Sequence, residues 1–294
     1  MEAKKRIALV TGGNRGIGFG ICKLLASKGV TVILTAREEK RGEEAIKKLS
    51  EEFCLTDIIF HQLDVTNISS IMSLVDFVKN RFGKLDILVN NAAVTGVDVP
   101  QPLDLEIPWK ERFDIWLKTH FETYELAEAS LKTNYFGVKY LTEALLPLLE
   151  SSDSGRIVNV SSSFGKLKHM NNKELVKELD DINSLTLERI DDLAKSFLKS
   201  FKENALEENG WKISEGFRAY KVSKILLNAY SRVTAKIRPI LCVNCVHPGH
   251  VHTGFGCHTG PPTVDEGADA VVTLALADGG PTGLFYERSE LSTF

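Results

Sequence analysis

Tyr220 and Lys224 lie four residues apart, a spacing that puts two side chains on one face of a helix. A free phenol, with a pKa of about 10, holds its proton firmly at neutral pH. A neighbouring ammonium favours the phenolate, so the pair reads as an acid for a developing alkoxide and a base in reverse. Three serines, Ser161, Ser162 and Ser163, follow the apolar run Ile157–Val160, and a hydroxyl there can hold a substrate oxygen. Asn134 falls in a helical stretch, where its amide can hold a water linking the lysine to solvent. Together these groups suit reduction of a carbonyl, which takes hydride at carbon and a proton at oxygen. Each also has a plainer use: the Tyr–Lys pair as a surface pair, the serines as a turn, Asn134 as a satisfied core amide.

A hydride needs a donor, and the N-terminal segment suggests one. Thr11-Gly12-Gly13-Asn14-Arg15-Gly16-Ile17-Gly18 follows an apolar run and opens a helical pattern. Glycines let backbone approach a pyrophosphate, and a helix N-terminus offers free N–H groups and a positive dipole. The spacing is T-G-x-x-x-G-x-G rather than G-x-G-x-x-G, and a tight strand-to-helix turn is its plainer explanation. At the end of the second strand, an NAD-binding fold usually places an acid against the ribose hydroxyl. Here Ala36 and Arg37 stand there. A guanidinium grips a 2′-phosphate, whereas an acid repels it. With Arg15 as a second cation, the expected cofactor is NADP(H). Asp64 and Val65 end the third strand, where the carboxylate suits either the adenine amino group or the cap of the next helix.

These residues need a scaffold. Apolar runs at Arg6–Val10, Val30–Ala36, Ile58–Leu63, Ile87–Val89, Ile157–Val160 and Leu241–Val246 alternate with helical patterns. Such strands imply a doubly wound parallel α/β sheet of Rossmann type, covered on both faces in three layers. Gly283–Tyr286 reads as the last strand and Ala219–Ala235 as a long helix. The 294 residues, 43% apolar and 26% charged with net charge −3, form one ordinary globular domain. That balance gives no reason to expect nucleic acid or an anionic membrane as partner. No apolar run is long enough to span a bilayer, and the one after the charged start Met1–Arg6 is too short for a secretory signal. A soluble cytoplasmic protein is expected. Five cysteines without a signal argue against a disulfide framework. Cys242 and Cys245 lie three apart on a strand, facing opposite ways. His247, His250, His252, Cys257 and His258 show no recognised zinc spacing, so no metal is expected.

Taken in order, Thr11–Gly18, Asn90–Ala93, Asn134, the serine run and Tyr220–Lys224 resemble the classical short-chain dehydrogenase/reductases. The resemblance runs from about Arg6 to the C-terminus. It is nearest to the plant branch typified by neomenthol dehydrogenase (menthone reductase) and salutaridine reductase, and to the animal monomeric carbonyl reductases. It implies a catalytic tetrad of Asn134, Ser162, Tyr220 and Lys224. It also implies cofactor contacts from Gly12, Asn14, Arg15, Gly16, Ile17, Gly18, Arg37, Asp64, Val65, Asn91, Tyr220 and Lys224. Pro248, Gly249, Val251 and Thr253 match the segment that closes over the nicotinamide. Ala93 stands where the family usually has glycine. The implied activity is NADPH-dependent reduction of a small lipophilic ketone or aldehyde of terpenoid or alkaloid type, reversible as an alcohol dehydrogenase, in plant specialised metabolism.

One feature departs from most of the family. A Lys- and Glu-rich stretch, Lys166–Glu215 within 163–217, intervenes between Ser162 and Tyr220 with apolar residues at helical spacing. It resembles the insertion that covers the tyrosine helix in monomeric members, so a monomer is expected. It is also expected to wall the substrate pocket, opposite Val94–Glu122 with Trp109, Phe113 and Trp116. Apolar walls suit a lipophilic substrate. The rival readings are a catalytically idle NADPH-binding sensor or scaffold, a reductase of conjugated C=C bonds, and an epimerase or dehydratase. The last usually carries a G-x-x-G-x-x-G turn, which is absent here.

Overall fold

A computed structural model describes residues 5–294; the first four residues of the charged N-terminal segment lie outside it. Eight strands form one sheet: β1 (Ile7–Val10), β2 (Thr31–Ala36), β3 (Ile58–Gln62), β4 (Ile87–Asn90), β5 (Arg156–Val160), β6 (Cys242–His247), β7 (Phe285–Glu287) and β8 (Glu290–Ser292). The spatial order is β3-β2-β1-β4-β5-β6-β7-β8, parallel up to β7, with β8 antiparallel at the edge. The expected last strand begins two residues later than Gly283, and β8 was not foreseen. Every residue of β1, β4 and β5 is buried, as their unbroken apolar runs require.

Helices cover both faces, giving the expected Rossmann-like α/β fold. On one face α1 (Gly16–Ser27) and α10 (Val264–Leu276) pack Ile21, Leu25 and Val271 against Val10 and Val89, with α2 (Glu39–Phe53) beside them. On the other, α3 (Ile68–Phe82) and α6 (Val138–Glu150) pack Leu74, Leu141 and Leu145 against Leu9 and Leu88. The strand order reverses between β1 and β4. Adjacent connections there leave in opposite directions, and a crevice opens at the strands' carboxyl ends.

The insertion folds as α7 (Lys173–Asp180) and α8 (Leu187–Lys202). Its apolar residues Leu175, Leu179, Ile190 and Phe197 pack on α5 (Tyr124–Leu131) and α9 (Arg218–Ile237), against Leu131, Val222 and Tyr230. The charged residues fall on the outer side, the usual split for an amphipathic helix. The stretch therefore covers the tyrosine helix as expected. The Val94–Glu122 segment carries α4 (Trp109–Thr119).

Candidate active site

A cavity of about 780 Å³ opens where the parallel strands end. Its floor is the turn from β1 into α1. Gly12 has φ +65°, and a Cβ on Gly18 would stand 2.2 Å from the Gly12 carbonyl oxygen. Only bare backbone fits there. The Asn91 amide donates to the carbonyls of Thr11 at 2.9 Å and Gly12 at 3.2 Å, bracing the turn from β4. Arg15, at the N-cap of α1, makes no side-chain cap hydrogen bond. The first N–H groups of α1 are thus left for an anionic ligand. This uncapped helix start beside a glycine cradle fits the pyrophosphate of a dinucleotide. Gly12, Asn14, Arg15, Gly16, Ile17, Gly18 and Asn91 all line the cavity.

Arg37 follows β2 and also lines it. So does Arg41, which sequence reasoning missed; its signal was its place one helical turn after Arg37. Its Nε lies 3.0 Å from Glu38 Oε2, an exposed pair. Asp64 and Val65 line the cavity after β3. The capping alternative for Asp64 is overturned: Asn67 caps α3, accepting from Ser70 N at 3.2 Å. Asp64 Oδ1 instead accepts from Thr66 N at 2.9 Å and Thr66 Oγ1 at 2.7 Å, holding the turn after β3. Pro248, Gly249, Val251 and Thr253 come from the loop after β6. Thr253 Cγ2 would meet a Cβ on Gly16 at 3.4 Å, so this loop rests on the glycine turn.

Ser162, Tyr220 and Lys224 line the same cavity, brought together by the end of β5 and the first turns of α9. Ser162 Oγ accepts from Phe164 N at 3.2 Å, and Ser162 acts on the Tyr220 phenol to lower its pKa. Burial pushes that phenol up to about 12, against the opposing effect of Ser162. Burial lowers Lys224 to about 8. Burial thus opposes the acidifying effect expected of the neighbouring ammonium. Lys224 Nζ donates to the Val160 carbonyl at 2.8 Å and lies 5.7 Å from the centre of the Tyr220 ring. Desolvation therefore dominates both groups.

Asn134 is the one tetrad member outside the cavity lining. It sits in a π-turn, Lys132–Gly137, between α5 and α6, and is fully buried. Its amide is used up. Oδ1 accepts from Val94 N at 2.9 Å, and Nδ2 faces Val94 O at 2.9 Å, Ser223 Oγ at 3.0 Å and Ser130 Oγ at 3.1 Å. The side chain thus pins Val94, which does line the cavity, and the satisfied-amide alternative describes it.

The remaining wall is largely aromatic, with Thr95, Thr133, Ser163 and imidazoles among it. Phe113 and Trp116 take part as expected, joined by Leu117, Phe164, Phe217 and Phe255. Trp109 does not line it and is 36% exposed. The insertion contributes only at its ends, through Ser163, Phe164 and Phe217; residues 165–216 line nothing, because α7 and α8 turn their apolar faces to α9. Of the imidazoles after β6, His250 pairs with Thr259 Oγ1 at 2.7 Å and His252 with the Gly260 carbonyl at 3.3 Å.

A parallel sheet with an uncapped glycine turn at its switch point, and a buried Ser–Tyr–Lys group in the same cavity, defines a nucleotide-dependent oxidoreductase. The comparisons agree. The family model for short chain dehydrogenases matches residues 6–173. The chain is 52% identical over 304 residues to salutaridine reductase of Papaver bracteatum, covering 99% of this chain and 97% of that protein. It is 46% identical over 308 residues to (+)-neomenthol dehydrogenase of Capsicum annuum, covering 98% of each. Its structure is similar to that of salutaridine reductase from Papaver somniferum, with a TM-score of 0.88 and 47% identity over 96% of this chain and 99% of that one. The chain belongs to the short-chain dehydrogenase family. It is an oxidoreductase whose fold binds a nicotinamide cofactor.

Proposed function

We propose that this protein is an NADPH-dependent carbonyl reductase for lipophilic ketones and aldehydes of terpenoid or alkaloid type. The observation that carries the reading is a single cavity shared by three guanidinium groups and by a Ser–Tyr–Lys group set against aromatic rings. When bound, the cofactor supplies hydride to the carbonyl carbon. Arg37, with Arg15 and Arg41, holds a 2′-phosphate by charge-assisted hydrogen bonds. Asp64 and Val65 flank the adenine, and Asn91 keeps the glycine turn in shape. Ser162 donates to the substrate oxygen and fixes it beside Tyr220. Tyr220, protonated throughout the neutral range, gives its phenolic proton to that oxygen as negative charge develops there. Lys224, held by Val160, is the nearby cation that favours the phenolate left behind. Asn134 acts as a positioning residue through Val94. Phe113, Trp116, Phe164, Phe217 and Phe255 exclude water and take up the hydrocarbon body of the substrate.

We read the chain as one domain with 163–217 as a helical insertion over α9, acting as a monomer in the cytoplasm. Among the described residues no helix is long and apolar enough to cross a membrane. Light scattering on the purified protein tests the monomer: the mass of one chain is expected, and that of two contradicts it.

Transfer from NADPH deuterated at the nicotinamide C4 to a panel of monoterpene and alkaloid ketones tests the reaction. Deuterium on the carbinol carbon is expected. Deuterium on the β-carbon of an enone means C=C reduction instead, and cofactor binding without turnover of any ketone means a sensor.

A further inference from the structure

His250 sets an imidazole into the aromatic wall, with one ring nitrogen engaged and the other to spare. It lines the cavity, with Phe113 at 5.1 Å and Trp116 stacked on it at 6.4 Å between ring centres. Its tautomer follows from Thr259. The Thr259 hydroxyl donates to the Gly256 carbonyl at 2.6 Å, and a hydroxyl has one proton to give. Toward His250 Nε2, at 2.7 Å, the same oxygen can only accept. Nε2 therefore carries the ring proton and Nδ1 a lone pair. Thr259 is fully buried, and its own N–H also binds the Gly256 carbonyl, at 3.0 Å, so the arrangement is fixed. Burial lowers the His250 pKa below its ordinary value, which keeps the ring neutral and the lone pair available at pH 7. Among the described residues Nδ1 has no protein partner, yet it is not one of the sealed polar atoms without partners. It is therefore not sealed from solvent, and its residue lines the cavity.

A substrate hydroxyl brought among Phe113, Trp116 and Phe217 would lose its hydration, and a donor buried without an acceptor is unfavourable. His250 Nδ1 supplies the acceptor. The reacting phenol has different ring neighbours, Phe164 at 6.3 Å and Phe255 at 5.9 Å between centres. Phe217 links the two ring sets into one wall, 4.8 Å from Trp116 and 5.8 Å from Phe164 between centres.

We propose that His250 is a specificity-determining residue whose Nδ1 accepts a hydrogen bond from a hydroxyl of the substrate, so that the preferred ketones are lipophilic ones carrying an alcohol or phenol donor away from the carbonyl. This rests on the carbonyl-reductase reading and narrows its substrate class. A neutral hydrogen bond to a buried acceptor corresponds to about a tenfold preference.

The test uses 1-tetralones hydroxylated at position 5, 6 or 7 and their methyl ethers, which keep the ring electronics but lack the donor. In the parent enzyme, kcat/KM for the best-placed hydroxytetralone should exceed that for its ether by about tenfold. His250→Phe keeps an aromatic ring and should bring the ratio near one. His250→Gln restores an acceptor and should recover part of the preference. NADPH affinity, measured by fluorescence, checks that both variants fold. A parent ratio near one, or a ratio unchanged in His250→Phe, overturns the proposal. If the parent turns over none of the tetralones while binding NADPH, the carbonyl-reductase reading fails first and takes this proposal with it.

Discussion

Replacing Lys224 by methionine should abolish turnover and yet relieve a stability penalty in a pH-dependent way. The ammonium is buried, and its pKa falls from 10.5 to about 8. A gap of about 2.5 corresponds to about 3 kcal/mol at 1.36 kcal/mol per pKa unit. The sign follows from linkage. Between pH 8 and pH 10.5 the unfolded chain binds the lysine proton and the folded one does not, so this group's contribution to stability rises with pH there. Below pH 8 both states are protonated, and the penalty of burying the charge is nearly complete, about 3 kcal/mol at pH 7. At pH 9.5 it falls to about 1.4 kcal/mol. Methionine, close to lysine in length, carries no such penalty. It does lose the hydrogen bond to Val160, a term of about 1–2 kcal/mol that depends little on pH. Urea unfolding of parent and variant, followed by tryptophan fluorescence at pH 7 and pH 9.5, measures the difference. Relative to the parent, the variant should lose about 2 kcal/mol of stability on going to the higher pH. A difference that is the same at both pH values, or that moves the other way, refutes the claim that desolvation dominates Lys224.

Other perturbations separate the parts of the site. Arg37→Asp removes a guanidinium and adds a repelling carboxylate, so NADPH affinity should fall about a hundredfold while NADH changes little; equal losses for both, measured by cofactor fluorescence, contradict the 2′-phosphate assignment. Gly18→Ala drives a Cβ into the Gly12 carbonyl and should weaken both cofactors at least tenfold by distorting the turn; titration with NADPH and NADH checks it, and unchanged affinity contradicts it. Asn134→Ala leaves the main-chain N–H and carbonyl of Val94 without their partner and takes a donor from the Ser130 and Ser223 hydroxyls, which keep their other hydrogen bonds; it should cost about 3 kcal/mol in urea unfolding, and a loss below about 0.5 kcal/mol would mean the amide is not the clamp on Val94.

What was legible in the sequence was what depends on local spacing. The glycine turn, Arg37, the serine run and the Tyr220–Lys224 pair each announce themselves within a few residues, and the unbroken apolar strands dictate a two-faced sheet. Arg41 was equally local, one turn from Arg37, but in the sequence it looks like any charge on a solvated helix. Asp64 and Asn67 are both capping types three residues apart, and only the direction of the Ser70 N–H decides between them. The insertion's amphipathic spacing correctly implied burial against its own protein. The resemblance pointed to the tyrosine helix, and α9 receives the insertion; the further expectation that it walls the cavity fails, because spacing alone does not show where a helix pair ends up. Phe217 and Phe255 reach the wall from loops whose course is set by tertiary packing. That burial acts on both Tyr220 and Lys224 was not legible, because a spacing of four shows which groups are neighbours but not that both are sealed from water, nor that Val160 takes a hydrogen bond from the ammonium.

Tyr220→Phe, assayed for both NADPH binding and ketone reduction, tests most directly whether a buried phenol delivers the proton. The change removes one oxygen from the shared cavity and leaves the glycine turn and Arg37 intact. NADPH should bind within a few-fold of the parent while kcat falls by at least a hundredfold. Reduction at near-parental rates by the phenylalanine variant would mean that some other group protonates the product.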